Sequence, residues 1–257
     1  MNSNIQTHLP ELSRQARAVQ NMFDRIAPRY DLLNRLLSLR QDVRWRRALC
    51  QDLPRLKKRG QSLLDVACGT GDILCEVLKR RPDFSSLTGL DLSLQMLEHA
   101  RMRKDLADHL ISAPDARQIE ASRVSLVHGS ATALPFAAGQ FEAVTISFGL
   151  RNVDDRKKAL GEFSRVLVPK GKLFVLEFFP LERSVMAFLF ELYFKRILPF
   201  VGGLISDKDA YRYLPESVST MPSVQEFNGW LAEAGLRTIQ TRSWLFGGCL
   251  LIQAEKI

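Results

Sequence analysis

The sequence lacks a long apolar run, and cysteine and histidine are scarce, with four of each. No stretch of about 18 uninterrupted apolar residues occurs, so we expect no helix that spans a membrane. The cysteines form no Cys-x-x-Cys pair, which argues against a disulfide framework, and we expect no metal site. Residues 1–13 are polar and lack the apolar core of a secretion signal, so we expect a cytoplasmic protein.

The composition is that of a folded protein whose charge is unevenly distributed. The chain has 257 residues, 46% apolar and 25% charged, enough for one large α/β domain or two small ones. The formal net charge is +8, and residues 1–60 hold 13 lysines and arginines against 5 acidic residues. This basic segment has three alternative interpretations: contact with nucleic acid, contact with an anionic membrane surface, or a solvated helix face.

Two kinds of hydrophobic periodicity divide the chain. Apolar residues recur at helical spacing from about 11 to 56, and Ser93 is placed to cap a later helix. Short apolar strands alternate with helices from residue 62 onward, at 62–67, 87–91, 124–128, 141–148 and 172–178. After a helix at about 224–234, the chain closes with strands at about 236–242 and 248–254. This alternation predicts an α/β fold, with a parallel sheet covered by helices on both faces.

The same pattern predicts one domain with two additions. We assign residues 1–60 to a basic N-terminal helical arm or lid and residues 61–257 to the domain. A dense apolar stretch, Phe188 to Ile205, departs from the alternation. We interpret it as part of a lid inserted at about 180–220, with a buried core helix as the alternative.

A glycine turn and a carboxylate predict a nucleoside site. Gly69 and Gly71 follow the first strand of the sheet and open a helix, and Asp91 ends the next strand, 20 residues after Gly71. A carboxylate there accepts hydrogen bonds from a ribose diol. A dinucleotide would require a third glycine, where the sequence has Leu74, and Asp72 would oppose a phosphate at the helix N-terminus. The pattern therefore favours S-adenosylmethionine over NAD.

The ends of two further strands supply more candidates. Ser130 and Ala131 follow the third strand, where backbone would border an adenine or form an ordinary loop. The fourth strand ends at Ser147, and Arg151 and Asn152 open the loop after it. Reacting groups in open α/β sheets lie beyond such strand ends, so we expect a functional role for this loop.

These motifs together resemble one family. Residues 65–72 with Asp91 are similar to the first two motifs of class I S-adenosylmethionine-dependent methyltransferases. Three more specific segments, 30–34, 146–153 and 211–217, resemble the C-methyltransferases of menaquinone and ubiquinone biosynthesis, and the resemblance covers roughly residues 20–254. It implies a Rossmann-like fold: a mostly parallel seven-stranded sheet, helices on both faces, and an antiparallel strand near the C-terminus.

The chain departs from that family's pattern at a few positions. Cys68 replaces a usual glycine, Asp42 a usual histidine, and Phe179 a usual serine, and residues 169–172 replace a Lys-Pro-Gly-Gly run. Asp42 puts any histidine-based role at that position in doubt. The other departures leave the resemblance intact.

The resemblance implies roles for individual residues. Contacts with S-adenosylmethionine are expected from the glycine turn and the strand ends, at Gly69, Thr70, Gly71, Asp91, Ser130, Ala131 and Ser147. The acceptor phenol has a pKa of about 10, so a cation must assist its ionisation, and Arg151 is the candidate. Positioning of the acceptor is expected from Asn152 and Tyr30, and to a lesser extent from Asp31, Tyr211 and Tyr213. His128 lies near a strand end, and we expect it to be structural.

The expected reaction is methylation of a ring carbon of demethylmenaquinol, with a polyprenyl quinol as partner and peripheral contact at the inner face of the membrane. The first alternative is C-methylation of a polyprenyl benzoquinol, and the second is another methyltransferase with a soluble acceptor. A nucleic-acid methyltransferase is disfavoured, because no Asn-Pro-Pro-Tyr-like motif follows the fourth strand. A non-catalytic binder with the same fold is the remaining alternative.

Overall fold

The computed structural model describes residues 5–55, 61–110, 123–181 and 208–257. These residues form one sheet of eight strands with helices on both faces. The strands are β1 (Ile5–His8), β2 (Gln61–Val66), β3 (Phe84–Asp91), β4 (Val124–Gly129), β5 (Phe141–Ser147), β6 (Leu167–Phe178), β7 (Leu236–Trp244) and β8 (Cys249–Lys256). The helices are α1 (Arg14–Ile26), α2 (Tyr30–Leu37), α3 (Gln41–Asp52), α4 (Asp72–Arg80), α5 (Leu94–Met102), α6 (Lys104–Ala107), α7 (Arg156–Val166), α8 (Lys208–Ser219) and α9 (Val224–Glu233).

The strand order places a ligand-binding crevice at the centre of the sheet. The order is β1-β4-β3-β2-β5-β6-β8-β7, with β1 to β6 parallel and β8 antiparallel to both β6 and β7. The chain therefore builds outward from β2 on one side and from β5 on the other. The crevice beyond the carboxyl ends of β2 and β5 is the point where such sheets bind ligands. The edge at which the parallel strands end is called the carboxyl edge below.

The eighth strand was not expected from the sequence. The segment 1–60 was assigned to a helical arm, but β1 pairs in parallel with β4, from Ile5 opposite Leu126 to His8 opposite Gly129. Only Ile5 of this strand is buried, so four residues show no alternation that a sequence pattern could reveal. The strand covers backbone groups that β4 would otherwise expose at the edge of the sheet.

The N-terminal arm contains three helices, α1, α2 and α3. Pro28 stands in a 3-10 turn, Ala27–Arg29, that separates α1 from α2, because proline cannot continue the hydrogen bonds of a helix. Ser13 caps α1, and its hydroxyl accepts a hydrogen bond from the N–H of Ala16 at 3.0 Å. Ser93 caps α5 as predicted, accepting from the N–H of Met96 at 3.1 Å.

Alternation along the strands creates two apolar layers, one on each face of the sheet. Leu63 belongs to the layer that packs against α3 and α4, whereas its neighbour Leu64 belongs to the layer that packs against α7 and α9. Both leucines are fully buried, as expected for a parallel strand covered on both sides. The two layers fix the strand ends relative to one another.

No helix within the described ranges is long and apolar enough to cross a membrane. The apolar stretch 188–205, which the sequence analysis interpreted as part of a lid, lies outside those ranges, as does the side chain of Tyr211.

Candidate active site

A cleft of about 730 Å³, including its open mouth, lies at the carboxyl edge. Its floor is formed by the ends of β2, β3, β4 and β5, and α1 and the start of α2 cover it. The described residues that line it are Ala16, Val19, Phe23, Tyr30, Val66, Ala67, Gly69, Leu90, Asp91, Leu92, Met96, Gly129, Ser130, Ala131, Ser147, Phe148, Gly149, Asn152, Val153 and Asp154. Seven of the ten site residues predicted from the cofactor and acceptor motifs, including Tyr30, line this cleft.

The glycine turn brings backbone to the cleft. Gly69 has φ +55° and lines the cleft, so its N–H and carbonyl are not shielded by a side chain. Gly71 has φ +83° and packs against α6, where an added Cβ would come within 2.5 Å of Leu106 Cδ1. Of the two predicted glycines, Gly69 therefore faces the cleft, and Gly71 permits the close packing of the helix that follows.

Asp91 is held rigidly at the end of β3. Its Oδ2 accepts a hydrogen bond from the N–H of Gly69 at 2.7 Å, and its Oδ1 accepts from the N–H of Ser93 at 2.8 Å. Burial raises the pKa of Asp91 to about 6, although these two N–H groups favour the charged form, and nearby Asp24 raises it further. An ionised carboxylate has about four acceptor positions, so Asp91 retains acceptor capacity for ligand hydroxyls.

Two polar side-chain atoms in the cleft have no hydrogen-bond partner among the described residues. These are the Ser147 hydroxyl at the end of β5 and the amide oxygen of Asn152 in the following turn, and both atoms are buried. Buried polar atoms are paired in nearly all native structures, so such atoms in a cleft indicate places for ligand atoms. By contrast, the Ser130 hydroxyl already shares a hydrogen bond of 2.9 Å with Thr132.

Tyr30 and Thr70 connect the N-terminal arm to the glycine turn. The ring of Tyr30 lies over Gly69 and lines the cleft. Burial raises the pKa of Tyr30, against the opposing effects of Arg46 and Arg151. The hydroxyl of Thr70 donates to Asp31 Oδ1 at 2.7 Å, which fixes α2 on the turn. Thr70, predicted to contact the cofactor, is thus engaged with the arm.

Helix α1 is fastened across the cleft at both ends. Near its start, the Ser13 hydroxyl donates to Asp154 Oδ2 at 2.7 Å, in the loop after β5. Further along, Gln20 Nε2 donates to the carbonyl of Leu92 at 2.8 Å, and Asp24 Oδ1 accepts from the Ser93 hydroxyl at 2.5 Å. The helix therefore covers part of the cleft, through contacts that the sequence did not predict.

Asp72 is enclosed by arginines. Its carboxylate accepts from Arg35 at 2.7 Å, Arg46 at 2.8 Å and Arg103 at 2.7 Å. Burial opposes its ionisation, but Arg46 and Arg35 outweigh burial and lower the pKa of Asp72 to about 2. Asp42, at the position where the family usually has histidine, also pairs with Arg46, at 2.6 Å. Part of the basic charge of the arm is therefore used inside the fold, and Asp72 is already neutralised.

Arg151 forms a buried ion pair that the sequence analysis missed. Its Nη1 lies 2.6 Å from Oε1 of Glu177 and 2.7 Å from the carbonyl oxygen of Phe148. The backbone N–H of Arg151 donates to Oε2 of Glu177 at 3.1 Å, and the Glu177 side chain is fully buried. The guanidinium lies behind the cleft wall formed by Phe148 and Asn152, with its Nε unpartnered among the described residues. The sequence feature that could have identified Glu177 is its position as an acidic residue within the apolar strand predicted at 172–178.

Asp65 is a second buried carboxyl group, located on β2 beneath the turn. Its Oδ1 accepts from the hydroxyl of Thr145 at 2.6 Å, whereas its Oδ2 has no partner among the described residues. Burial is the largest cause that raises the pKa of Asp65, from the ordinary 3.8 to about 7. The folded protein therefore retains a proton between those pH values that the unfolded chain has lost, and stability falls as the pH rises through this window.

Replacing Asp65 with asparagine should stabilise the protein at alkaline pH. The amide oxygen keeps the acceptor for Thr145, and the cost of a buried negative charge is removed. We expect the melting temperature to rise by about 2–4 °C or more at about pH 8 and to change less at about pH 5. Calorimetric melting at both pH values measures this difference, and an equal change at the two would contradict the assignment.

The comparison with known sequences decides the family. Residues 11–256 match the model of the ubiE/COQ5 methyltransferase family. The chain belongs to this family. The family predicted from segments 30–34, 146–153 and 211–217 is confirmed, and so is the expectation of an enzyme that transfers methyl groups.

Two relatives show how far the similarity of this methyltransferase extends. A demethylmenaquinone methyltransferase of Thermus thermophilus is 47% identical, over 83% of this chain and 90% of the relative. A ubiquinone/menaquinone biosynthesis C-methyltransferase of Syntrophotalea carbinolica is 42% identical, over 93% of this chain and 94% of the relative.

A solved structure confirms the fold class. A SAM-dependent methyltransferase of Thermotoga maritima is similar with a TM-score of 0.59, at 18% identity, over 93% of this chain and 100% of the other. The methyltransferase described here has the predicted mostly parallel sheet with an antiparallel C-terminal part. It adds β1 to the seven strands that were expected.

Proposed function

We propose that this methyltransferase transfers a methyl group from S-adenosylmethionine to a ring carbon of demethylmenaquinol. The observation that carries the proposal is the cleft itself: a fixed carboxylate, an exposed backbone turn and unpaired polar atoms meet under an apolar cover. The Thermus thermophilus relative, which is named a demethylmenaquinone methyltransferase, supports the choice of acceptor.

The residues on the sheet side of the cleft fit S-adenosylmethionine. When bound, this cofactor supplies an electrophilic methyl group on a sulfonium. Asp91 would accept hydrogen bonds from the ribose hydroxyls, and the carbonyl of Gly69, whose N–H is already bonded to Asp91, and the unpaired Ser147 hydroxyl would bind further polar groups of the cofactor. Ala131 and Ser130 would border the adenine. Thr70 and Gly71 would support this site through the turn.

The loop after β5 fits the acceptor. Asn152 Oδ1 is unpaired and would accept a hydrogen bond from a ring hydroxyl, and Tyr30 would hold the ring from the opposite side. Arg151, held by Glu177 behind this wall, favours the ionised form of Tyr30, a phenol that lines the cleft, and would favour the phenolate of the acceptor in the same way. The cover formed by α1 excludes water, which favours a transition state in which opposite charges neutralise.

The acceptor is proposed to be a polyprenyl quinol that the enzyme takes up at a membrane surface. A polyprenyl benzoquinol is the second candidate, because the Syntrophotalea carbinolica relative carries a name that includes ubiquinone as well as menaquinone. The greater identity to the Thermus thermophilus enzyme favours the naphthoquinol.

Incubation with methyl-labelled S-adenosylmethionine and a panel of reduced quinones tests the acceptor. We expect label in demethylmenaquinol, detected by mass spectrometry, and inhibition of labelling by S-adenosylhomocysteine. Asp105→Asn, which alters an exposed carboxylate outside the cleft, is the matched control and should label at the wild-type rate. Label only in benzoquinols would replace the proposed acceptor, and label in no quinol would reject the function.

The affinity for S-adenosylmethionine should fall as the pH decreases through about 6, because protonation of Asp91 removes acceptor positions for the ribose. Calorimetric titrations between about pH 5 and pH 8 measure the trend. Asp91→Asn should bind more weakly but with a flat profile. A profile that stays steep in that variant would assign the pH dependence to Asp65 instead, whose pKa lies near 7.

A further inference from the structure

Two bulky apolar side chains are displayed at turn tips where the fold does not require them. Leu39, in the turn before α3, is 77% exposed, and Phe246, in the turn between β7 and β8, is 79% exposed. Both have left-handed backbones, with φ +50° and φ +58°. Glycine or asparagine adopts that conformation at lower cost, and an exposed leucine or phenylalanine gains nothing from burial. These choices of residue therefore indicate a surface contact.

The two tips lie on the same side of the molecule as the cleft. The turn at Phe246 leads into Cys249, which pairs with Phe178 at the carboxyl end of β6. The start of α3 lies beside the start of α4 at the same edge, because Arg46 pairs with both Asp42 and Asp72. Both turns thus project from the carboxyl edge.

An aromatic cluster connects the tips to the cleft. The Trp45 ring, in the second turn of α3, lies 6.3 Å from the ring of Trp244, which precedes the Phe246 turn. The same ring lies 5.9 Å from Phe148, which lines the cleft. Through this buried cluster, the segments that carry the two tips pack against the wall of the candidate active site.

Two exposed cations adjoin the Leu39 tip. Arg40 follows Leu39 directly, Arg44 lies one helical turn later, and both are exposed. Leu32 on α2 is 62% exposed, in the same N-terminal arm. Exposed apolar tips flanked by arginines match the boundary of an anionic bilayer, where side chains enter the acyl region and guanidinium groups contact lipid phosphates.

We infer that Leu39 and Phe246 are membrane-inserting tips, and that Arg40 and Arg44 bind the headgroups of an anionic bilayer around them. The inference rests on the proposed function, because a polyprenyl quinol resides in the bilayer. It goes further by naming the docking surface, which orients the mouth of the cleft toward the lipid. A second copy of the chain, the other occupant of such a surface, is an outcome of the test.

Vesicle flotation with tip variants tests the surface. The Leu39→Asn/Phe246→Asn double variant retains the left-handed backbone, because asparagine tolerates it, so folding should be preserved. We expect its binding to phosphatidylglycerol–phosphatidylcholine vesicles to be at least about tenfold weaker than that of the wild type. Ile257→Asn removes an equally exposed apolar side chain at the opposite edge of the sheet and should bind as the wild type does.

The contribution of the arginines to vesicle binding is measured separately from that of the apolar tips. Arg40→Gln/Arg44→Gln should reduce binding to anionic vesicles by about tenfold or more, and should have little effect on binding to pure phosphatidylcholine. Equal flotation of all variants, or absence of flotation of the wild type, would overturn the inference. A tip variant that floats normally but no longer self-associates in sedimentation would assign the surface to a second copy.

Activity assays distinguish this inference from the proposed function. The tip variant should methylate a short-chain demethylmenaquinol in detergent at the wild-type rate, and should lose rate only with a long-chain acceptor embedded in vesicles. Normal flotation of the wild type without methylation of any quinol would reject the function and leave the surface in place. If the wild type methylates short-chain quinol but does not float with vesicles, the proposed function is retained and the inferred membrane surface is rejected.

Discussion

Replacement of Asp91 by alanine is expected to weaken the binding of S-adenosylmethionine at least about tenfold, since one hydrogen bond to a charged group contributes about 1.5–3 kcal/mol. Two contributions combine in this loss. The ribose hydroxyls lose their acceptors, and the N–H groups of Gly69 and Ser93 lose the carboxylate that fixes the turn. Isothermal titration calorimetry at about pH 8, where the carboxylate is ionised, measures the loss.

A modified ligand separates the two contributions. An S-adenosylhomocysteine analogue that lacks both ribose hydroxyls should bind the wild type more weakly than the parent ligand. The analogue and the parent ligand should bind Asp91→Ala with about the same affinity, because the acceptor for the hydroxyls is already absent in this variant. If removal of the hydroxyls weakens binding equally in both proteins, Asp91 only shapes the turn and does not bind the ribose. Asp105→Asn serves as the control carboxylate outside the cleft.

The elements of the sheet were predictable because their signals are local. The strands from β2 to β6 are buried apolar segments bounded by turn residues, and their positions agree with the sequence pattern to within a few residues. The helix that Ser93 caps ends at Met102, and the side chain of the next residue, Arg103, reaches Thr70 and Asp72. A contact of that kind depends on the tertiary structure, and helical periodicity does not report it.

The strand ends that form the candidate site were also predictable, because their signals are local. Gly69 and Asp91 mark the ends of adjacent strands, so the topology alone brings them together. The partners of charged groups were not predictable. Arg151 and Glu177 are 26 residues apart and belong to neighbouring strand ends, and the sequence analysis therefore treated Arg151 as a free cation.

The arginines around Asp72 are a second case in which the partners of a charged group were not predictable from the sequence. The sequence places a surplus of positive charge in the arm and a carboxylate at the start of α4, and it suggests that each is available to a ligand. In the fold, Arg35 and Arg46 from the arm neutralise that carboxylate. Arg35 and Arg46 are therefore held at the start of α4 by charge, and exposed cations such as Arg40 and Arg44 remain available to a surface.

Loss of the positive charge at Arg151 should reduce turnover by about a hundredfold or more, with little change in affinity for S-adenosylmethionine, since a fixed charge near the reacting group acts mainly on the transition state. The simple alanine variant is a poor test. It would leave Glu177 as an unpaired, fully buried carboxylate, and breaking such a pair costs about 3–5 kcal/mol of stability. A loss of turnover in that variant would therefore not distinguish misfolding from loss of the positive charge.

The double variant Arg151→Met/Glu177→Gln resolves this ambiguity. It replaces the ion pair with two uncharged side chains of similar volume, a change that buried pairs often tolerate. We expect near wild-type melting and cofactor binding, and turnover still reduced by about a hundredfold with short-chain demethylmenaquinol. Raising the pH should partly restore its rate, because hydroxide ionises the phenol, whose pKa is about 10, without a cation. Wild-type turnover in a folded double variant would show that the pair only holds the strand ends together.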